Sequence, residues 1–175
     1  VLGTGAGFDL EFDLGAGPGP IEIALGLSLV SVDAAALNHL AEAPTPTFAA
    51  VSAQTKKDWD ELTGRVTFDG GLPEDRTKMA AALYHLYLMP SIQSDADGSF
   101  TAMDGSVQKE QGYHYMSDMS LWDTYRTLHP LYALIAPEYA KDSVESLHAK
   151  AKAGGFFPKW PIATGEAGTM LGSSA

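Results

Sequence analysis

The sequence predicts an α+β fold in which two β-strands precede about five α-helices. Residues 8–14 alternate apolar and acidic side chains with a period of two, and residues 21–32 form a long, mostly apolar run. Both patterns are typical of strands. After residue 33 the apolar side chains recur with the helical period instead. Long loops connect the predicted helices. Two strands followed by such a series of helices indicate a helical bundle or an α/α barrel.

The two predicted strands need partners from elsewhere. A Gly- and Pro-rich turn at 15–20 separates them, and an isolated hairpin is marginally stable in water. We therefore expect their partner strands upstream of Val1. The chain also opens directly into strand-like sequence without an initiator Met or a signal peptide, so we expect it to be a piece of a longer protein.

Each predicted helix has a recognisable beginning or end. Ser31 or Asp33 is placed to cap the first helix, and Pro130 should break or kink the fourth. Gly154 and Gly155 are suited to end the fifth. We expect 91–120 and 156–175 to be irregular. The predicted helices cover 34–40, 47–62, 73–89, 121–134 and 137–153.

Composition and charge exclude several classes of function. There are 22 acidic residues against 11 basic ones, a net charge of −11, which argues against nucleic acids and anionic membranes as partners. The absence of cysteine excludes disulfides, thiolate zinc sites and thiol nucleophiles. No apolar run is long enough for a membrane span. Neutral or cationic ligands, or a divalent cation, fit the charge better.

Candidate metal motifs in the sequence are weak. Residues 95–98 resemble the start of a calcium loop, but Ser106 occupies the position of the bidentate Glu. An Asx turn explains the segment better. The five histidines lack the spacing of metal ligands. We expect His85, near the apolar stripe of its helix, to be buried and hydrogen-bonded.

The segment Leu121–Pro130 has the most informative chemistry. Trp122, Asp123 and Arg126 lie close together at a predicted helix start. An indole stacks on the apolar face of a pyranose, while a carboxylate and a guanidinium bind its hydroxyls. The sequence equally allows a capping Asp123 paired with Arg126, three residues on, beside a tryptophan in the core.

A second segment, Phe157–Glu166, again places an indole and a carboxylate on a Gly- and Pro-shaped loop. The residues concerned are Trp160 and Glu166. A loop that packs its tryptophan is the more common reason for such a pattern.

Several segments together resemble glycoside hydrolase family 92, the calcium-dependent exo-α-mannosidases. The resemblance runs from about Leu27 to the C-terminus, with the blocks in order and at similar spacing. Residues 28–32 are similar to the family's SFVSVE strand, 82–85 to ALYH, and 94–105 to SDVDG…MDG. Residues 120–131 are nearly identical to SLWDTYRTLHPL, and 157–172 resemble LPKWPLA…NETGCMIG.

The resemblance implies a fold and a division of the chain. Residues 1–32 would be the last strands of a β-sandwich, 33–60 connecting helices, and 61–175 the first part of an (α/α)6 barrel. The chain would then be an α+β fragment, about a quarter of such an enzyme. Its partners would be an upstream β-sandwich segment, the remaining C-terminal part of the barrel and a mannose-containing glycan. The family also implies a secreted, extracellular or periplasmic protein.

The resemblance also implies a reaction. Family members hydrolyse α-mannosides with inversion, calcium binds mannose hydroxyls, and the acid, the base and the main calcium ligands come from motifs further toward the C-terminus. No catalytic residue is assigned to this chain. Gly165, Ala167 and Ser173–Ser174 depart from the family pattern. A non-catalytic glycan-binding or structural module of an extracellular assembly is the alternative. The residues that the resemblance assigns to the sugar site or its support are Trp122, Asp123, Arg126, Trp160 and Glu166.

Overall fold

The computed structural model describes residues 10–13, 15, 17 and 19–170. The described residues form helices and short strands, so the α+β class is confirmed. The helices are α1 (Val32–Glu42), α2 (Phe48–Thr63), α3 (Pro73–Leu86), α4 (Leu121–Thr124), α5 (Leu128–Ile135) and α6 (Pro137–Gly154). The strands are β1 (Ser91–Ile92), β2 (Ser99–Thr101), β3 (Val107–Lys109), β4 (Met116–Ser117), β5 (Pro161–Ile162) and β6 (Gly165–Glu166).

The two N-terminal strands predicted from the sequence are not formed in the described residues. Residues 10–13 and 19–31 have no strand conformation, and the chain is helical from Val32. Positions 8, 9 and 14 of the first predicted strand lie outside the described residues. Leu25 and Leu27 are 74% and 81% exposed. A strand needs a neighbouring strand for its backbone hydrogen bonds, and the described part of the chain offers none here.

The helix ends follow local chemistry. The Ala34 N–H donates to Ser31 Oγ over 3.0 Å at the start of α1, so Ser31 is the cap. The Ala50 N–H donates to Thr47 Oγ1 at the start of α2. Gly155 ends α6 with a φ of 77°, a conformation that glycine adopts without steric cost. The third helix ends at Leu86, three residues earlier than predicted.

The predicted helix 121–134 is divided in two. Helix α4 ends at Thr124 and α5 begins at Leu128, so Pro130 lies in the first turn of α5. Proline is tolerated there because the first-turn N–H groups have no partner within the helix. The predicted interruption is confirmed, and it lies just before the proline.

Segments expected to be irregular contain the short strands. Strand β1 pairs antiparallel with β4 with Ile92 opposite Met116, and β2 pairs with β3 with Phe100 opposite Gln108. In the tail, β5 and β6 form a hairpin with Pro161 opposite Glu166. Two- and three-residue strands carry too little periodicity to be recognised from sequence.

Among the residues that the structure describes, the core is made of three clusters around α6. Tyr87, Tyr132 and Ala136 form the first. Phe100 and Tyr115 stack with their ring centroids 3.8 Å apart in the second. The third contains Met116, Met119 and Leu121. All three clusters pack on α6 or the residues before it, so this part of the chain is built around one helix.

Helix α2 buries only part of its apolar face. Trp59 and Leu62 pack against the first cluster, while Phe48 and Val51 are 76% and 43% exposed. The prediction of a buried His85 is wrong, because the residue is exposed. Helix α3 presents Leu83 to the interior instead.

A polar network joins the N-terminal segment to the rest of the molecule. The Asp95 carboxylate accepts hydrogen bonds from Ser28 Oγ at 2.8 Å and from Asn38 Nδ2 at 2.6 Å. Asn38 Oδ1 in turn accepts from the Ala96 N–H at 2.8 Å. Asp95 and Asn38 are both buried, where hydrogen-bonded polar groups hold one arrangement of the chain.

The segment 95–98 is confirmed as a turn. Asp97 Oδ1 accepts from the Ser99 N–H at 2.9 Å, which is the Asx turn predicted from the sequence. Gly98 has a φ of 84° and completes it. In the described residues, no helix is both long enough and apolar enough to cross a membrane.

Candidate sugar-binding site

The turn Ser120–Arg126 displays its tryptophan on the surface. Helix α4 has only four residues, and the buried Leu121, 3% exposed, anchors it to the third cluster. The next residue, Trp122, is 43% exposed. The alternative of a core tryptophan at this position is therefore not what the structure shows.

Arg126 packs on aromatic rings and not on a carboxylate. Its guanidinium carbon lies 5.1 Å from the centroid of the Trp122 ring and 5.5 Å from that of Tyr125. Cations are attracted to the face of such rings. Since α4 ends at Thr124, Asp123 and Arg126 do not share a continuous helix, and no ion pair between them is found in the described residues. The alternative in which Asp123 pairs with Arg126 is therefore not what the structure shows.

Asp123 is exposed and bound locally. Ser120 Oγ donates a hydrogen bond to Asp123 Oδ2, and the Asp123 N–H donates to the Ser120 carbonyl at 3.0 Å. The residue at the N-cap of α4 is Ser120, whose side chain makes no capping hydrogen bond. The turn thus presents an indole, a carboxylate and a guanidinium side by side on the surface.

The second predicted segment is a hairpin held by its own glutamate. The Glu166 carboxylate accepts from the Trp160 N–H at 3.1 Å and from the Gly168 N–H at 3.2 Å. The Ala167 N–H donates to the Trp160 carbonyl at 3.0 Å. Both oxygens of Glu166 therefore bind backbone of the hairpin. The structure gives Glu166 a supporting position, with Trp160 half-buried at the start of the hairpin.

Three hydrogen bonds bring the hairpin against the segment that leads into the turn. Ser117 Oγ donates to the Ala163 carbonyl at 2.8 Å, and the Ala163 N–H donates to Asp118 Oδ1 at 3.1 Å. The Met119 N–H donates to the Pro161 carbonyl at 3.1 Å. Sequence reasoning missed these contacts because they join positions about 45 residues apart that share no motif.

A fully buried lysine lies beneath this region. Lys150 on α6 is 0% exposed, and its Nζ lies 3.9 Å from the centroid of the Tyr115 ring. Burial lowers the pKa of Lys150 to about 8, although the charge of Asp118 acts in the opposite direction. Burial also raises the pKa of Tyr115 to about 12. The small residues Ser143, Ser146 and Ala149 recur every third position on α6. This spacing was the sequence signal that the face of α6 carrying them is closely packed.

A groove with a volume of about 730 Å³ lies along the first half of α6. It is lined in part by Glu110, Tyr113, Glu138 and Asp142, and none of the predicted sugar-site residues reaches it. Burial raises the pKa of Asp142. The groove and the Ser120–Arg126 turn are therefore separate features.

The described residues do not fit a calcium site. Nowhere among residues 10–13, 15, 17 and 19–170 do three His, Cys, Asp or Glu side chains come together as a metal would require. Calcium takes six to eight oxygen ligands. Asp123 and Glu166, whose oxygens already bind Ser120 and the hairpin backbone, do not form such a set.

Residues 34–175 match the glycosyl hydrolase family 92 catalytic domain, which is more than half of the chain. The chain belongs to glycosyl hydrolase family 92. The resemblance seen in the ordered sequence blocks is thereby confirmed. This family 92 chain also resembles solved family members in structure.

Two similar structures are family GH92 mannosidases of Bacteroides thetaiotaomicron. The family GH92 α-mannosidase BT3965 is 31% identical with a TM-score of 0.76, over 83% of this chain and 20% of that one. The family GH92 inverting mannosidase BT2199 is 28% identical with a TM-score of 0.76, over 84% and 20%. The family 92 glycosyl hydrolase ccman5 is 26% identical with a TM-score of 0.67, over 78% and 20%.

The chain thus spans about a fifth of the length of the solved structures that it matches. None of the curated proteins matches it. The fold of this family 92 segment is consequently shared with the mannosidases, while most of the length of those structures has no counterpart in these 175 residues.

Proposed function

We propose that this chain forms part of the sugar-binding face of a glycoside hydrolase that removes terminal α-mannosyl residues from glycans. The observation that carries the proposal is the exposed Trp122, presented beside Asp123 by a turn that the buried Leu121 anchors. A rigid, exposed indole stacks on the apolar face of a pyranose, and the adjacent carboxylate accepts hydrogen bonds from its hydroxyls.

The remaining predicted residues take two roles in this proposal. Arg126, held over the Trp122 ring, donates to the hydroxyls of a sugar bound beside the indole. Glu166 holds the hairpin that carries Trp160, and so supports the site without contacting the sugar. The mannosidases that this chain resembles support the choice of an α-mannoside as the ligand.

The reaction that we propose is hydrolysis with inversion. One carboxylic acid protonates the leaving oxygen and a carboxylate activates water, the two standing about 6.5–9.5 Å apart. We place both groups, and the ligands of a required calcium ion, in other segments of the protein. A C-terminal part of an (α/α)6 barrel and an upstream β-sandwich would supply them. The larger length of the solved relatives supports this placement. The description of BT2199 as inverting supports the proposed stereochemistry.

The proposal places the enzyme outside the cytoplasm, secreted or in the periplasm, where terminal mannosides of glycans are accessible. We also propose that the domain division of the family applies, with 33–60 connecting the sandwich to the barrel. The match over residues 34–175 supports a boundary near residue 33.

The test is hydrolysis of an α-mannobioside by the full-length protein, followed by ¹H NMR. We expect β-mannose as the first product, and loss of activity on calcium chelation. Trp122→Ala should lower kcat/KM at least about tenfold, or about 1.4 kcal/mol of transition-state stabilisation. Trp59→Phe, a change in the core cluster away from the turn, is the matched control and should keep kcat/KM.

Two results would overturn parts of this proposal. Binding of the mannobioside without any hydrolysis would favour the non-catalytic glycan-binding module. Absence of both binding and hydrolysis would contradict the assignment of an α-mannoside altogether. Equal losses in Trp122→Ala and Trp59→Phe would mean that Trp122 acts through stability alone.

A further inference from the structure

Two residues with side chains adopt left-handed backbone conformations opposite one another. Asp118 has a φ of 58° and Ala163 a φ of 47°. Residues other than glycine avoid this region because their Cβ approaches the backbone. Asp is among the residues that tolerate it, whereas Ala has no polar side chain to compensate. Such conformations persist where the surrounding structure holds them, and they cluster at functional sites.

Both polar backbone groups of Ala163 are held by the segment before the turn. Its N–H donates to Asp118 Oδ1 at 3.1 Å, and its carbonyl accepts from Ser117 Oγ at 2.8 Å. The Met119 N–H adds a third bond, to the Pro161 carbonyl. Ser117 and Met119 are both 0% exposed. We call these three bonds between 117–119 and 161–163 the clamp.

The clamp lies between the two segments that carry the exposed turn and the hairpin. The turn Ser120–Arg126 follows Met119 directly, and Trp160 immediately precedes β5. Asp118 is also the acidic residue whose charge acts on the buried Lys150 of α6. A side chain that belongs to one segment and binds the other fixes the relative placement of the two.

We propose that Asp118 is a positioning residue, which sets the Trp160–Gly168 hairpin against the Trp122 turn so that both face one sugar ligand. This inference rests on the proposed function. A binding site must hold its contact residues to within a fraction of an ångström, through groups that do not touch the ligand. Asp118 supplies that restraint because its carboxylate oxygen Oδ1 accepts the hydrogen bond of the Ala163 N–H.

The experiment compares three variants of the full-length protein. Asp118→Ala removes the acceptor for the Ala163 N–H. Asp118→Asn keeps an oxygen acceptor, and Asn also tolerates the left-handed region. Asp104→Ala is the matched control, because Asp104 likewise accepts a backbone N–H, from Ser106 at 2.9 Å, in a turn outside the clamp. The readouts are amide hydrogen exchange and the Kd for methyl α-mannoside.

We expect Asp118→Ala to speed exchange about tenfold in both the hairpin and the turn, the size expected for one lost hydrogen bond. The Kd should rise about tenfold as well. Asp118→Asn should restore both values to within about twofold of the native protein. Asp104→Ala should leave the Kd and the exchange of these two segments unchanged.

Three other results would overturn the positioning role of Asp118, the clamp or the proposed function. Faster exchange in the hairpin alone, with an unchanged Kd, would make Asp118 a structural residue and overturn the positioning role. Unchanged exchange in Asp118→Ala would overturn the clamp itself. A native protein that binds no methyl α-mannoside, while Asp118→Ala still speeds exchange in both segments, would overturn the proposed function and leave the clamp standing.

Discussion

The two halves of the described chain differ in how they use their apolar side chains. Of the ten hydrophobic residues that are buried among the described ones, nine lie from Tyr87 onward, and Leu83 is the exception. Before residue 87 the helices α1, α2 and α3 form with well-defined ends, yet Leu37, Leu40 and Phe48 are 60%, 65% and 76% exposed. Local caps and periodicity suffice to define a helix, whereas a core requires partners distant in sequence.

The largest expected effect is on the C-terminal side of this comparison. Tyr132 is 0% exposed and its hydroxyl donates to the Leu86 carbonyl at 2.6 Å. Tyr132→Ala should lower the free energy of unfolding by about 3–5 kcal/mol through cavity formation. Tyr132→Phe, which removes only the hydroxyl, should cost about 1 kcal/mol. Urea unfolding measures both.

The paired change on the N-terminal side is Phe48→Ala. Because the Phe48 side chain is 76% exposed, its loss should change the free energy of unfolding by less than about 0.5 kcal/mol. A cost above about 2 kcal/mol would break the comparison, since it would show that the exposed face of α2 is covered in the protein.

A second, smaller effect tests the buried lysine. The pKa of Lys150 is about 8 in the folded chain against an ordinary 10.5. Between pH 8 and pH 10.5 the unfolded chain therefore binds more protons than the folded chain. Stability should therefore rise with pH from about 8 to about 10.5. Lys150→Met should add up to about 3 kcal/mol at pH 7 and remove this rise.

Lys152→Met is the control for that change, because Lys152 lies on the same helix and is exposed. It should leave both the stability at pH 7 and its dependence on pH unchanged. Guanidinium unfolding between pH 7 and pH 10.5 measures the slope. A flat profile for the native protein would contradict the buried, charged lysine beneath Tyr115.

The smallest of the three effects concerns the junction between the two halves. Asp95→Ala removes the acceptor of the Ser28 and Asn38 hydrogen bonds, and should cost about 1–3 kcal/mol because one N–H of the buried Asn38 amide loses its acceptor. Amide exchange in α1 should accelerate while that of α6 does not. Asp97→Ala, in the adjacent exposed turn, is the control and should leave α1 unchanged. Equal acceleration in α1 and α6 would mean that the halves unfold as one unit.

Prediction from the sequence succeeded where the cause is local. Ser31 caps α1, Gly155 ends α6, and the interruption near Pro130 is present, since each depends on neighbouring residues. The strand predicted at 21–32 is absent because the described part of the chain holds no neighbouring strand to pair with it. The sequence motifs identified the family, because several blocks in the same order and at similar spacing are specific even though each block alone is weak.

The candidate site shows the same division. The exposure of Trp122 follows from its place beside the buried Leu121, and the sequence alone had left it open. Helical spacing allowed Arg126 to pair with Asp123, but the helix ends at Thr124 and the guanidinium packs on rings instead. Asp118 and Lys150 went unnoticed because a single polar residue acquires its role only from chain segments far away in sequence.

The central claim is that Trp122 contacts the sugar, and ¹⁹F NMR of the full-length protein labelled with 5-fluorotryptophan tests it most directly. Tryptophan-to-phenylalanine variants assign the resonances of Trp59, Trp122 and Trp160. On titration with methyl α-mannoside, the Trp122 resonance should shift and saturate, and that of Trp59, in the core cluster, should stay in place. A saturating shift of Trp59 with no change at Trp122 would contradict the claim.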